Sequence, residues 1–151
     1  MNHDFLKFWR VVRYYVYKRY NLDQANMELL LFLRHHGKFD KNDFHSFERV
    51  MPWTQYRLKK LIDEGWVEIF RRRKKGKRKE VYRISLKGKR LVDSIYRKLM
   101  GEEIVMSPVH NPLFKKNTRY REAKHRDAII LMNEYYKDLK AKEQPPHHAP
   151  E

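Results

Sequence analysis

Eight of the nine residues from Arg71 to Lys79, RRRKKGKRK, are cationic. No protein core can hold such a run, because each unpaired charge taken from water costs several kcal/mol or more. Any fold this chain adopts must leave the stretch in solvent. The flanks are β-type, with Trp66, Val67, Ile69 and Phe70 before it and Val81, Tyr82 and Ile84 after it. Two such segments joined by a Gly-containing loop read as a β-hairpin. From Arg71 to Arg90, twelve cations face the single acid Glu80. Like charges crowded on a hairpin repel each other, and a phosphate backbone relieves that repulsion while releasing counterions.

The remaining pattern is mostly helical. Phe5, Phe8, Trp9, Val12 and Val16 recur at helical spacing and predict a helix from Asp4 to Tyr20, with Asp4 as its N-cap. Leu29, Leu30, Phe32 and Leu33 predict a second helix, stopping at Gly37. Asp40–Glu48 is a short helix carrying Phe44 and Phe47. The next runs from Pro52, favourable in a first turn, to Glu64 before Gly65. Thr54, Leu58, Leu61 and Ile62 share its inner face, and Trp53, Tyr56, Arg57 and Lys60 the opposite one. After the hairpin, Leu91, Val92, Ile95, Tyr96 and Leu99 define a helix from Leu86 to near Gly101. Pro108 and Pro112 mark residues 101–118 as a linker or extended arm. Its Ile104, Val105, Met106 and Phe114 are available to a protein partner. A last helix spans Tyr120–Lys142, and residues 143–151 read as a disordered tail. The expected fold class is mainly α with one small β-hairpin.

Composition narrows the function. The chain has 151 residues, a formal net charge of +16 and no cysteine. That length suits one modest core, and the charge calls for a polyanionic partner. Without cysteine there are no disulfides, thiolate zinc sites or iron–sulfur clusters. The eight histidines have no ligand spacing around them, so no metal is expected. No Ser-His-Asp set, P-loop or GxGxxG occurs, and the reading is a non-enzyme without a cofactor. No apolar run of about 18 residues exists, so no membrane partner is expected. The opening MNHDFLKFWRVVRYYVYKRY lacks the apolar stretch and cleavage site of a secretory signal.

Three helices followed by a basic hairpin is the order of a winged helix-turn-helix. From Met51 to Ser85 the sequence resembles the MarR family of winged-helix DNA-binding proteins. KKLIDEGWVE, Lys59–Glu68, is similar to that family's link between recognition helix and wing. Ile84, Ser85 and Gly88 match its L-T-x-x-G pattern, and Arg78 falls on its wing arginine. The chain departs from the family at Gly76, where Asp is frequent, at Tyr56, where a basic residue is typical, and in the length of residues 101–118. The resemblance covers most of residues 4–100 and, weakly, 120–142. It implies residues 1–100 as a winged core with its N-terminal helix, and 119–142 as a helix for dimerisation or partner docking.

The implied function is a homodimeric transcriptional regulator of double-stranded DNA, located in the cytoplasm with the nucleoid. Major-groove and phosphate donors would come from Trp53, Gln55, Tyr56, Arg57 and Lys60. Wing contacts would come from Arg71, Arg72, Arg73, Lys74, Lys75, Lys77, Arg78 and Lys79. Phe5, Phe8, Trp9, Val12, Val16, Ile129, Ile130 and Tyr136 would form the dimer interface. Helix one is also rich in tyrosine, at Tyr14, Tyr15, Tyr17 and Tyr20, which suits either packing or a ligand pocket. Two rivals use the same equipment. One is a structural, packaging or assembly protein, virion-associated and indifferent to sequence. The other is an RNA-binding module whose Trp and Tyr stack on unpaired bases.

Overall fold

The computed structural model describes residues 3–51, 54–72, 79–116 and 119–143. Among them are six α-helices and one two-stranded antiparallel sheet, so the chain is mainly helical with a small hairpin. It divides into two compact units, a central one, Leu22–Ile95, and a terminal one made of Met1–Asn21 with Tyr96–Glu151.

The central unit begins with α2, Gln24–Leu33, whose N-cap is Asp23: its carboxylate accepts the Asn26 N–H at 2.8 Å. Gly37 then turns the chain at φ +70°. Asp40 starts α3, Lys41–Phe47, with a reciprocal cap, since Asp40 accepts the Asp43 N–H and Asp43 accepts the Asp40 N–H. Helix α4 runs Gln55–Asp63, three residues shorter at its start than the expected Pro52. Pro52 itself lies outside the described residues. Thr54, expected on the inner face, is the exposed N-cap; Leu58 and Leu61 form the buried stripe, and Ile62 is half-buried.

Gly65, at φ +84°, turns α4 into β1, Val67–Arg71, which pairs with β2, Val81–Ile84. Val67 faces Ile84 and Ile69 faces Tyr82, with a register irregularity between Ile69 and Arg71. Phe39 adds a one-residue bridge to Tyr82, donating to and accepting from its backbone. The sequence pattern gave no sign of this bridge, because one residue has no periodicity. Phe39, Phe44, Phe47, Leu58, Leu61, Trp66 and Tyr82 are buried together with the apolar side of α2.

Ser85 joins the hairpin to α5, Leu86–Leu99. Its hydroxyl lies 2.7 Å from the Gly65 carbonyl and 2.9 Å from that of Trp66, and it accepts the Gly88 N–H. A Cβ on Gly88 would stand 2.5 Å from the Trp66 carbonyl oxygen, which explains glycine there. The Ile84, Ser85, Gly88 pattern is thus a helix cap and a close backbone approach at one junction.

In the terminal unit, α1 is Trp9–Tyr20, not Asp4–Tyr20. Asp4 caps a turn ahead of the helix by accepting the Leu6 N–H, and the helical N-cap position falls to Phe8, with no side-chain bond. Helix α6 spans Tyr120–Glu143. The two helices are antiparallel: Phe8 meets Tyr135 and Tyr136, Tyr14 meets His125, and Lys18 meets Glu122. Between α5 and α6, the segment expected as a linker or arm is packed. Ile104 and Leu113 are buried, and a 3-10 turn forms at Pro112–Phe114. Asn133 of α6 grips Ile104 on both sides, accepting its N–H and donating to its carbonyl, each at 2.9 Å. Asn111, fully buried, donates to Val105 and accepts from Leu113. Proline does break the helix here, but side-chain amides replace the backbone partners that a helix would have supplied.

Candidate nucleic-acid interface

Helix α4 carries the first half of the candidate site. Tyr56 is 72% exposed, and Lys59 is exposed beside half-buried Lys60. Gln55 is half-buried, with its amide nitrogen 3.4 Å from His45 Nε2. Arg57, expected among the free donors, is partly committed. Its Nη1 lies 3.3 Å from Asn26 Oδ1 and 3.5 Å from the Asp23 carboxylate, at the N-cap of α2. That engagement ties the start of α4 to the start of α2 and leaves Tyr56, Lys59 and Lys60 as the open donors of the helix. Trp53 lies outside the described residues.

The hairpin carries the second half. Arg71, Arg72 and Lys79 are exposed. Arg73, Lys74, Lys75, Lys77 and Arg78 lie outside the described residues. The stem is braced by Arg83 and Lys87, counted above among the hairpin's cations, and by Lys38, which the sequence pattern left unassigned. Lys38 Nζ sits 3.7 Å from the centre of the Phe70 ring and the Arg83 guanidinium 4.8 Å from it. Arg83 also donates to Glu68 at 2.6 Å. Lys87 lies 4.1 Å over Trp66 and donates to the Glu64 carbonyl. Such contacts hold extended side chains against the strand surface. They have no sequence signature, because Lys38 is far from Phe70 along the chain.

Between α3, α4 and β2 lies an open concavity of about 250 Å³, lined by Lys41, Gln55, Leu58, Lys59, Ile62 and Tyr82. Lys41 and Lys59 are at exposed positions, over a floor of apolar side chains and the buried Tyr82. Close by, hydrogen bonding from the Asp43 backbone N–H holds the Asp40 carboxyl below its ordinary range, and the Lys79 charge adds to this. Among the described residues no cluster of three His, Asp or Glu is placed to hold a metal ion. No helix described is long and apolar enough to cross a membrane.

The residues expected at a dimer interface divide in two. Phe8, Val12, Val16, Ile129 and Tyr136 are buried within their own chain, so their apolar surface is already used by the α1–α6 packing. Phe5 and Ile130 are each 36% exposed and Trp9 is half-buried, which leaves these three with free surface.

No family model, curated protein or solved structure matches the chain, and the functional reading rests on its own geometry.

Proposed function

We propose that this chain is a winged helix-turn-helix protein that binds duplex DNA as a homodimer and regulates transcription. The observation that carries the reading is the succession α2, α3, α4, β1, β2, with exposed Tyr56, Lys59, Arg71 and Arg72 on its last helix and hairpin. A helix of α4's diameter fits a major groove, and its open side chains are donors for phosphates and base edges. The strand bridge at Phe39 supports the winged reading, since it extends the hairpin toward a third strand. On this reading Arg71 and Arg72 would supply sequence-independent attraction to the backbone, and Tyr56 and Lys60 would contact bases. Phe5, Trp9 and Ile130 are the side chains this reading assigns to the second copy.

Two measurements test it. Selection of bound duplexes from a random pool, at about 150 mM salt, is expected to return a palindromic motif with half-sites about one helical turn apart. Retention of duplexes without any motif would replace the regulator with a packaging or assembly protein. Reversal of Arg71 and Arg72 to Glu is expected to weaken duplex binding and flatten its salt dependence by roughly one logarithmic unit per lost phosphate contact. A folded variant with unaltered affinity and slope would remove the wing from the mechanism.

A further inference from the structure

Helix α1 contains Arg10, Arg13, Lys18 and Arg19 and no acidic residue. Arg10, Arg13, Tyr14 and Tyr17 follow the i, i+3, i+4, i+7 spacing of one helix face, away from the buried Val12, Tyr15 and Val16. Tyr17 is 42% exposed. Tyr14 lies flat on His125 of α6, with ring centres 3.4 Å apart and planes within 7°. The Tyr17 ring is 6.0 Å from that of Tyr14, and Lys18 Nζ is 5.7 Å from each. One turn before His125, Arg121 is exposed.

The charges of this face are not balanced. The carboxylate present, Glu122, is taken by Lys18 at 3.0 Å. Among the described residues, Arg10, Arg13 and Arg121 enter no ion pair. Burial, helped by Arg121 and Lys18, holds His125 below its ordinary range. The imidazole therefore serves as a neutral plane under Tyr14 near pH 7. Unbalanced guanidinium groups around one stacked pair, Tyr14 on His125, and the tilted, exposed ring of Tyr17 suit a polyanion whose units have flat faces of their own. A duplex hides those faces inside its stack. A lipid surface takes aromatic rings at the headgroup level but also calls for aliphatic side chains reaching the acyl boundary, and Arg10, Arg13, Tyr14 and Tyr17 include none.

We infer that the α1–α6 face of Arg10, Arg13, Tyr14, Tyr17, Lys18 and Arg121 binds single-stranded nucleic acid, with an unpaired base stacked on Tyr17 and phosphates held by the arginines. This surface belongs to the terminal unit, whereas the duplex-binding residues proposed above belong to the central one, so neither reading depends on the other.

Fluorescence anisotropy of the full chain with labelled oligo(dT), oligo(U) and a blunt duplex tests the inference. Tyr17→Ala is expected to weaken single-strand binding about five- to one-hundred-fold, the range of one lost base stack. Tyr17→Phe should retain it, and both should bind duplex as the native chain does. The pair Arg10→Ala and Arg13→Ala provides an independent variant should Tyr17→Ala fold poorly, and should weaken single-strand binding with a shallower salt slope. Preference for oligo(dT) or oligo(U) separates a DNA from an RNA strand as the ligand. Failure of the native chain to bind either oligonucleotide overturns the inference, as does equal binding by folded Tyr17→Ala. Capture of phosphatidylserine vesicles through Tyr17, without oligonucleotide binding, would reassign the face to a membrane surface. Loss of duplex binding in the Arg71 and Arg72 reversal, with single-strand binding intact, tests the wing separately.

Discussion

The two units hold their irregular segments by different means. In the central unit, four helix ends are governed by residues beside them: Asp23 for α2, the Asp40–Asp43 pair for α3, Gly65 after α4 and Ser85 before α5. In the terminal unit, residues 101–116 are irregular apart from the 3-10 turn, and are held by two buried amides, Asn111 within the segment and Asn133, which reaches Ile104 from 29 residues away. Local caps each satisfy one or two backbone groups at a helix end, most of them at or near the surface. A buried amide that grips the N–H and the carbonyl of one residue satisfies groups that water cannot reach. Loss of the second kind should therefore cost more.

Asn133→Ala is the sharpest way to break that comparison. The substitution leaves the Ile104 N–H and carbonyl buried without partners, at about 1–3 kcal/mol each. Denaturant unfolding should show a loss of about 2–6 kcal/mol, with early hydrogen exchange at the Ile104 amide. A loss below about 1 kcal/mol would mean that water or another side chain takes over, and that the segment is held chiefly by the burial of Ile104 and Leu113.

That dependence also explains what could be read from the sequence. The elements of the central unit were legible because glycine, proline, aspartate and apolar spacing act within a few residues. That the apolar residues of α1 and α6 need cover was legible too, but the sequence pattern assigned that cover to a second copy. The packing of residues 101–116 was not, because nothing near Ile104 announces Asn133, 29 residues away. The Phe39 bridge and the place of Lys38 on Phe70 fail for the same reason. At the candidate interface, the exposure of Tyr56, Arg71 and Arg72 followed from pattern and charge. The diversion of Arg57 to Asp23 and Asn26 needed coordinates. So did the finding that five expected interface residues are spent inside their own chain.

A smaller effect sharpens the central half of the comparison. Asp23→Ala removes the cap of α2 and one partner of Arg57. Thermal unfolding should register about 1 kcal/mol for the cap. Asp23→Asn keeps a capping oxygen and removes only the charge, so it should recover most of the loss and leave a deficit of about 0.2–1 kcal/mol. If Asp23→Asn proves as damaging as Asp23→Ala, the ion pair with Arg57 outweighs the cap, and α4 is anchored through charge instead of geometry. Arg57→Met in the same background then locates the lost interaction.

The smallest effect concerns acid and the terminal unit. His125 has a folded pKa below its ordinary value of 6.5, with burial the first cause and Arg121 and Lys18 adding to it. The groups facing the ring are Tyr14 and Lys18 of α1 and Arg121 of α6, and the Glu122 carboxylate is occupied by Lys18. A histidine whose pKa is lowered by folding contributes stability that is complete above its unfolded pKa. The contribution is lost as pH falls through the folded pKa, because the unfolded chain takes up the proton more readily. Melting temperature should therefore decline as pH drops below about 6.5, before the carboxylates begin to titrate. His125→Phe keeps a ring against Tyr14 and removes the proton site, so its melting temperature should stay level over that interval. Parallel decline in the native chain and in His125→Phe would place the acid sensitivity at another histidine and leave the Tyr14–His125 stack without a role in it.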